Sequence, residues 1–233
     1  MKSEGIVAEL QKLKNPEKAR LLGRFFKCAK GEYGEGDIFW GIMVPLQRQV
    51  AKKYFQEADL KDAQKLLDSP VYEQRLTGLL MLVLKFGKAD EKLRKVVYNF
   101  YLKNTKRINN WDLVDLTAPK IVGGYLLNKD RKILYKLARS KNLWERRIAV
   151  LATFMFIRDN QFADSLKISE ILLNDKHDLI HKAVGWMLRE IGKRDIKAEE
   201  KFLQKYYRAM PRTMLRYAIE KFPERKRKKY LEK

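Results

Sequence analysis

The spacing of apolar residues constrains the fold of this chain more than any other feature. Apolar side chains recur three and four residues apart almost throughout, and no run alternates strictly between apolar and polar residues. Only 12 Gly and 6 Pro interrupt this pattern in 233 residues. A spacing of three and four places apolar side chains on one face of an α-helix, whereas alternation is typical of a strand. The sequence therefore predicts an all-α fold.

Local start signals divide the chain into helices of about 10–18 residues. A proline in the first helical turn, or a side-chain oxygen just before it, favours a helix start. The predicted starts lie at Asn15-Pro16, Val44-Pro45, Ser69-Pro70, Asp90, Asn110, Asp130, Asn142, Ala163, Asp178 and Pro211. No linker rich in Gly, Ser and Pro separates them. We expect one continuous domain over residues 1–233, with a basic C-terminal tail at about 223–233.

Four similar segments recur along the chain. They align at Arg75, Trp111, Arg147 and Lys182, which lie 36, 36 and 35 residues apart. Each segment would be the second helix of a pair, and the partner helices of the last three fall at about 90–103, 130–139 and 163–174. Stacked helical pairs of this length form repeat arrays. We predict an α-solenoid of HEAT-like pairs with a concave basic face, on which the aligned positions recur.

The charge balance indicates a polyanionic partner. Lys and Arg number 51 against 29 Asp and Glu, so the formal net charge is +22 and the isoelectric point is about 9.9. Hydrophobic residues make up 45% of the chain and aromatic residues 11%, which excludes a disordered basic tail. A folded basic protein of this kind is typical of nucleic-acid binding.

The sequence disfavours disulfide-bonded, membrane-spanning, metal-binding and nucleotide-binding proteins. The single cysteine, Cys28, excludes an intrachain disulfide, and no apolar stretch is long enough for secretion or membrane spanning, so we expect a cytoplasmic protein, or a nuclear one in a eukaryote. His177 and His181 have the spacing of a zinc helix but lack the usual glutamate and a third ligand. The glycines between Cys28 and Gly41 match no phosphate-binding loop. We expect neither a metal nor a cofactor.

Cations and aromatic rings share the faces of two predicted second helices. Arg147 lies beside an apolar stripe at one of the aligned positions, and the alternative to a functional role is that its stem covers the edge of the core. Lys182, Trp186, Arg189 and Lys193 form a stripe beside the core face of the following repeat. Interleaved rings and cations suit bases and phosphates. The alternative for Trp186 is a ring packed under a long loop.

A carboxylate interrupts the basic pattern in the helix predicted over residues 110–127. Asp115 follows Trp111 by four residues, so both project from one face about one turn apart. An acidic residue there opposes the attraction of a polyanion and needs a reason. One interpretation is that Asp115 is a reactive group. The alternative is that Asp112 or Asp115 forms an ion pair with a Lys or Arg of the next repeat. Pro119 predicts a kink, and Gly123-Gly124 a close helix contact.

Several motifs together resemble the alkylpurine DNA glycosylases of the AlkD type over nearly the whole chain. They are Asn110-Trp-Asp-Leu-Val-Asp115, Tyr33-Gly-Glu-Gly-Asp37 with Gly41-Ile-Met-Val-Pro45, Trp144-Glu-Arg-Arg147, His181-Lys-Ala-Val-Gly-Trp186 and Met210-Pro-Arg-Thr213. The resemblance implies HEAT-like repeats, a catalytic carboxylate at Asp115, an aromatic pair at Trp111 and Trp186 beside the lesion, and a backbone contact at Arg147. One branch of that family lacks the catalytic aspartate and is inactive, whereas this sequence keeps it.

The resemblance further implies release of cationic N3- or N7-alkylated purines from duplex DNA without base flipping. The pattern places no lysine as a Schiff-base nucleophile, so we predict a monofunctional enzyme that leaves an abasic site. Lys182, Arg189 and Lys193 would hold phosphates beside Arg147. Two alternatives stay open: a DNA-binding solenoid without catalysis, and a scaffold for an acidic protein. We expect a monomer, since one concave face serves one duplex.

Overall fold

The computed structural model of the chain describes residues 2–232, and all regular secondary structure in this range is helical. The β-type pairing in this range is limited to an isolated parallel bridge between Ile38 and Val71. The predicted all-α class is confirmed. Within residues 2–232, none of the helices combines the length and the hydrophobicity that a membrane span requires.

Contacts group the chain into two compact units, residues 1–117 and 118–233, which are described separately; the single domain expected from the sequence stays a prediction. The first unit contains α1 (Lys2–Gln11), α2 (Pro16–Phe25), α3 (Val44–Tyr54), α4 (Leu60–Leu67), α5 (Tyr72–Lys88), α6 (Glu91–Lys103) and α7 (Trp111–Ala118, which runs one residue past the unit). The second contains α8 (Gly124–Leu126), α9 (Lys132–Ala138), α10 (Leu143–Ala152), α11 (Phe154–Arg158), α12 (Ala163–Ile171), α13 (Asp178–Gly192), α14 (Ile196–Tyr206), α15 (Arg212–Ala218) and α16 (Glu224–Leu231).

Helix starts follow from local side-chain caps. Asn15 Oδ1 accepts the backbone N–H of Lys18 at 2.9 Å ahead of α2, and Asp90 Oδ1 accepts that of Leu93 at 2.8 Å ahead of α6. Asn142 caps α10 in the same way. Each cap satisfies an N–H that has no partner inside the helix. The starts predicted at these residues are confirmed.

Helix α5 forms the centre of the first unit, because every residue from Tyr72 to Leu82 is buried. Helices α3, α4 and α6 pack against it. Glu73, in its first turn, accepts the backbone N–H groups of Trp40, Gly41 and Ile42 at 2.7–3.1 Å. One buried carboxylate thus fastens the glycine-rich segment to the central helix.

Helix α13 holds the corresponding place in the second unit, where it packs against α10, α14 and α15. Its predicted core stripe is fully buried: Ile180, Val184, Met187, Leu188 and Ile191. Burial of this stripe removes apolar surface from water and stabilises the packing of α13 in the second unit.

Two predicted second helices are interrupted. The helix expected over residues 110–127 leaves α-helical geometry at Pro119, and a π-helical turn, Pro119–Gly123, precedes α8. Proline cannot donate the regular backbone hydrogen bond, so the helix changes its geometry at the residue where the sequence predicts a kink. A Cβ on Gly123 would lie 2.2 Å from the carbonyl oxygen of Ala152, which confirms the close contact expected there. The second helix predicted around Arg147 divides into α10 and α11 at Thr153.

The basic tail expected at about 223–233 is instead helical over most of its length. Helix α16 covers Glu224–Leu231, and Tyr230 packs edge-on against Tyr207 with ring centroids 5.3 Å apart. A run of cations obscured this helix in the sequence, because the pattern places only one aromatic anchor among them. The predicted partner helices at 130–139 and 163–174 are shorter than expected, at Lys132–Ala138 and Ala163–Ile171.

Candidate nucleic-acid interface

Trp111 opens α7 and belongs to an aromatic cluster of the first unit. Its half-buried ring stacks on Phe26 at 5.2 Å and meets Phe25 edge-on at 5.8 Å. Phe26 in turn stacks on Phe39 and Tyr72. Phe25 is 63% exposed, so the cluster reaches the surface beside Trp111. Trp111 is therefore supported from one side and accessible from the other.

A buried ion pair holds the start of α7. Asp37 and Arg75 meet at 2.5 Å, and both side chains are less than 5% exposed. Asp37 also accepts weak hydrogen bonds from the side-chain amides of Asn109 and Asn110, at 3.4 and 3.5 Å. The glycine-rich motif, the first aligned position and the residues before Trp111 are thereby joined.

Asp115 lies half-buried on α7, one turn after Trp111, as the spacing predicts. Asp112, three residues earlier, is buried and 7% exposed. Burial, together with the nearby charge of Asp115, raises the pKa of Asp112 to about 7. Two neighbouring carboxyls do not ionise together at low cost, so the buried Asp112 retains its proton more readily. Within residues 2–232 no ion pair forms at Asp112, so the alternative of an ion pair with a cation of the next repeat stays open for Asp115 alone.

Arg147 lies inside the second unit. Its side chain is buried, and Nη1 donates to the backbone carbonyl of Leu179 in the first turn of α13. The guanidinium thus ties α10 to the start of the following aligned helix. A phosphate contact from Arg147 stays a prediction from the resemblance.

Trp186 is half-buried on α13 and tilts against Phe154, with ring centroids 6.1 Å apart. Its indole Nε1 donates to Glu190 Oε1 at 3.1 Å. The same oxygen accepts from Lys193 at 2.6 Å and lies 3.7 Å from Arg189 Nε. Three residues of the predicted stripe, Trp186, Arg189 and Lys193, therefore surround one carboxylate oxygen of Glu190.

The other cations of the stripe have carboxylate partners as well. Lys182 pairs with Asp178 at 2.6 Å, one turn earlier on α13. Arg189, whose side chain is 16% exposed, also donates to Glu220. A phosphate that binds here exchanges with these carboxylates, which weakens the attraction relative to bare cations.

The site residues thus fall into two groups. Trp111 and Asp115 share one face of α7 in the first unit, whereas Trp186, Arg189 and Lys193 converge on Glu190 in the second. Sequence reasoning missed Glu190, although it lies one helical turn from Trp186. It named Asp37 in a motif but missed the pairing of Asp37 with Arg75, because no local signal connects residues 38 positions apart.

A family model described as DNA alkylation repair enzyme matches residues 6–222. The chain belongs to this family. The family resemblance predicted from the sequence motifs is thereby confirmed at the level of the DNA alkylation repair enzymes. A comparison with curated proteins finds no match.

Two solved structures share the fold of this DNA alkylation repair family member. A predicted DNA alkylation repair enzyme from Enterococcus faecalis superposes with a TM-score of 0.69 at 17% identity, over 91% of this chain and 97% of the other. AlkD2 from Streptococcus mutans gives a TM-score of 0.56 at 19% identity, over 90% and 99%. Both confirm the helical architecture; at such identities they inform on fold alone.

Proposed function

We propose that the chain is a monofunctional DNA glycosylase that hydrolyses the N-glycosidic bond of cationic N3- and N7-alkylated purines in duplex DNA. Its substrates would include 3-methyladenine, 7-methylguanine and bulkier adducts, read without base flipping. The observation that carries the proposal is Asp115, a half-buried carboxylate one turn from the accessible Trp111. Membership in a DNA repair family supports it.

The reaction needs little acid catalysis, because the alkylated purine is already a cation. The bond between C1′ and the purine nitrogen breaks, and its electron pair neutralises the leaving base. Water adds to C1′ and loses its proton, which leaves an abasic site. Positive charge grows on the sugar meanwhile, and a carboxylate at Asp115 would stabilise it and orient the water.

The buried neighbour of Asp115 supports this assignment. With a pKa of about 7, Asp112 is mostly protonated below neutral pH, so in that range the negative charge of the two carboxyls would lie mainly on Asp115. The flat faces of Trp111 and Trp186 would favour a cationic nucleoside over a neutral one. Lys182, Arg189, Lys193 and Arg147 would hold backbone phosphates, and duplex DNA is the proposed partner of a monomeric protein.

Base release from methylated duplex DNA tests the proposal. We would compare the wild type with Asp115→Asn and with Glu17→Gln, a matched change at an exposed position of α2. Asp115→Asn should lose base release by about 100-fold or more, since transition-state charge goes uncompensated. Glu17→Gln should release base like the wild type.

DNA affinity measured at two salt concentrations separates catalysis from binding. Asp115→Asn should bind as tightly as the wild type or more tightly, because a negative charge near phosphate is lost. Full base release by Asp115→Asn would contradict the assignment. Salt-sensitive binding with no release by either protein would instead identify a DNA-binding relative without catalysis.

A further inference from the structure

An open pocket of about 480 Å³ lies among α13, α15 and α16 of the second unit. Three cationic and two acidic side chains line it together with a hydroxyl and a phenol: Lys182, Arg216, Arg227, Asp178, Glu220, Thr213 and Tyr217. Of these residues, only Lys182 belongs to the predicted DNA contacts. The pocket therefore contains charge that the proposed function leaves unexplained.

Both acidic groups of the pocket are already engaged. Asp178 pairs with Lys182 at 2.6 Å, and Glu220 accepts from Arg189 and lies 3.5 Å from Lys221. Although burial opposes it, hydrogen bonds from Lys182 and Thr213 lower the pKa of Asp178. Neither carboxylate is left to neutralise the two arginines.

Arg216 and Arg227 have no partner for their guanidinium groups anywhere in residues 2–232. Both side chains are exposed and line the same pocket, so an anion that enters the pocket meets positive charge from both. The planar guanidinium fork matches the oxygens of a phosphate, which it can hold by two parallel hydrogen bonds.

The backbone around the pocket is closely packed. A Cβ on Gly185 of α13 would lie 2.4 Å from the carbonyl oxygen of Met214, so α15 approaches α13 without an intervening side chain. Three contacts hold α16 in place: Tyr230 on Tyr207 at 5.3 Å, Lys226 with Glu200, and Arg212 Nη1 to the carbonyl of Leu231 at 2.5 Å. Arg227 is thereby presented from a fixed helix, which lowers the entropic cost of binding.

We propose that Arg216 and Arg227 clamp one backbone phosphate of the bound DNA strand, so that α16 is a second DNA-binding element beyond the α13 stripe. The identity of the strand as DNA rests on the proposed function. The pocket itself recognises a phosphate diester, with Thr213 and Lys182 on its wall.

Binding to an unmodified duplex across a series of salt concentrations tests the clamp without any catalysis. Arg216→Ala and Arg227→Ala should each bind about tenfold more weakly at moderate salt. The slope of log affinity against log salt should fall by about 0.9, the value for one lost phosphate contact. The double variant should lose no more slope than either single variant, because both arginines serve one phosphate.

Arg225→Ala is the matched control, since Arg225 is exposed on α16 and does not line the pocket. It should change affinity less than twofold. Equal effects of Arg225→Ala and Arg227→Ala would overturn the clamp, as would a double variant that loses twice the slope. Inorganic phosphate, added at constant ionic strength, should not compete through the pocket. Competition that disappears in Arg216→Ala would assign the pocket to free phosphate and overturn the backbone assignment.

Base release by the wild type, measured in parallel, separates the two proposals. If the wild type releases base but the Arg216 and Arg227 variants bind DNA like the wild type, the clamp is refuted and the glycosylase proposal stands. Weaker binding by these variants without any release by the wild type removes the glycosylase and leaves the clamp. Thermal melts should show unchanged folding, because both side chains are exposed.

Discussion

Asp112→Asn should make the protein more stable at neutral and alkaline pH than the wild type. The carboxyl of Asp112 is buried, and its pKa is raised from an ordinary 3.8 to about 7 by burial and by the charge of Asp115. Asparagine resembles the protonated acid in shape and carries no charge. The variant therefore keeps the uncharged form of this side chain at every pH.

The direction follows from which state holds the proton. Between about pH 4 and pH 7 the folded protein keeps the Asp112 proton while the unfolded chain has lost it, so the free energy of unfolding falls as pH rises. Below this pH range Asp112 is protonated in both the folded and the unfolded state, and its stabilising contribution to the free energy of unfolding is fully present. Above the range Asp112 is ionised in both states, and that contribution is lost.

The magnitude comes from the difference between the pKa of Asp112 in the unfolded chain, 3.8, and its pKa in the folded protein, about 7. At about 1.36 kcal/mol for each pKa unit, this difference corresponds to about 4 kcal/mol of unfolding free energy. Between about pH 4 and pH 8, the free energy of unfolding of Asp112→Asn should rise relative to that of the wild type by about this amount.

Urea denaturation at several pH values provides the measurement. The exposed change Glu17→Gln serves as the control and should follow the wild type throughout this range. A difference between Asp112→Asn and the wild type that stays constant with pH would refute the reasoning. It would mean that Asp112 ionises in the folded protein as it does in water.

Two further changes test the packing of the two units. Asp37→Ala should lower the free energy of unfolding by about 3–5 kcal/mol, because Arg75 is left buried without its partner. The control Asp68→Ala breaks the exposed pair with Arg107 and should lower it by less than about 1 kcal/mol. Similar losses for the two variants in urea titrations would contradict the role of the buried pair. Gly123→Ala should lower the melting temperature, and the free energy of unfolding by about 1–3 kcal/mol, because its Cβ meets the Ala152 carbonyl oxygen. The control Gly87→Ala should not lower the melting temperature, because a Cβ there has no other atom within 4 Å.

The sequence predicts helices better than contacts, for a physical reason. Caps such as Asn15 and Asp90 act within one turn, so their signal lies beside the helix that they start. The apolar stripe of α13 follows from periodicity alone. The face shared by Trp111 and Asp115 likewise follows from a spacing of four residues.

Pairings over long sequence distances could not be read in this way. Nothing near Asp37 indicates Arg75, and nothing near Arg147 indicates that its guanidinium is buried against Leu179. Both depend on how separate helices pack. The helix at Glu224–Leu231 was missed because its contacts come from Glu200, Tyr207 and Arg212, which lie on or near other helices.

Glu190 has a consequence for how such a protein would leave its substrate. In the proposed function, a phosphate at Lys193 must first displace this carboxylate, so one ion pair replaces another. The net gain in free energy is then smaller than for a lysine surrounded only by water. When the phosphate departs, Glu190 is already in place to take the lysine back. In the proposed function, a built-in competitor of this kind would keep residence on undamaged DNA short and would favour a rapid search along the genome.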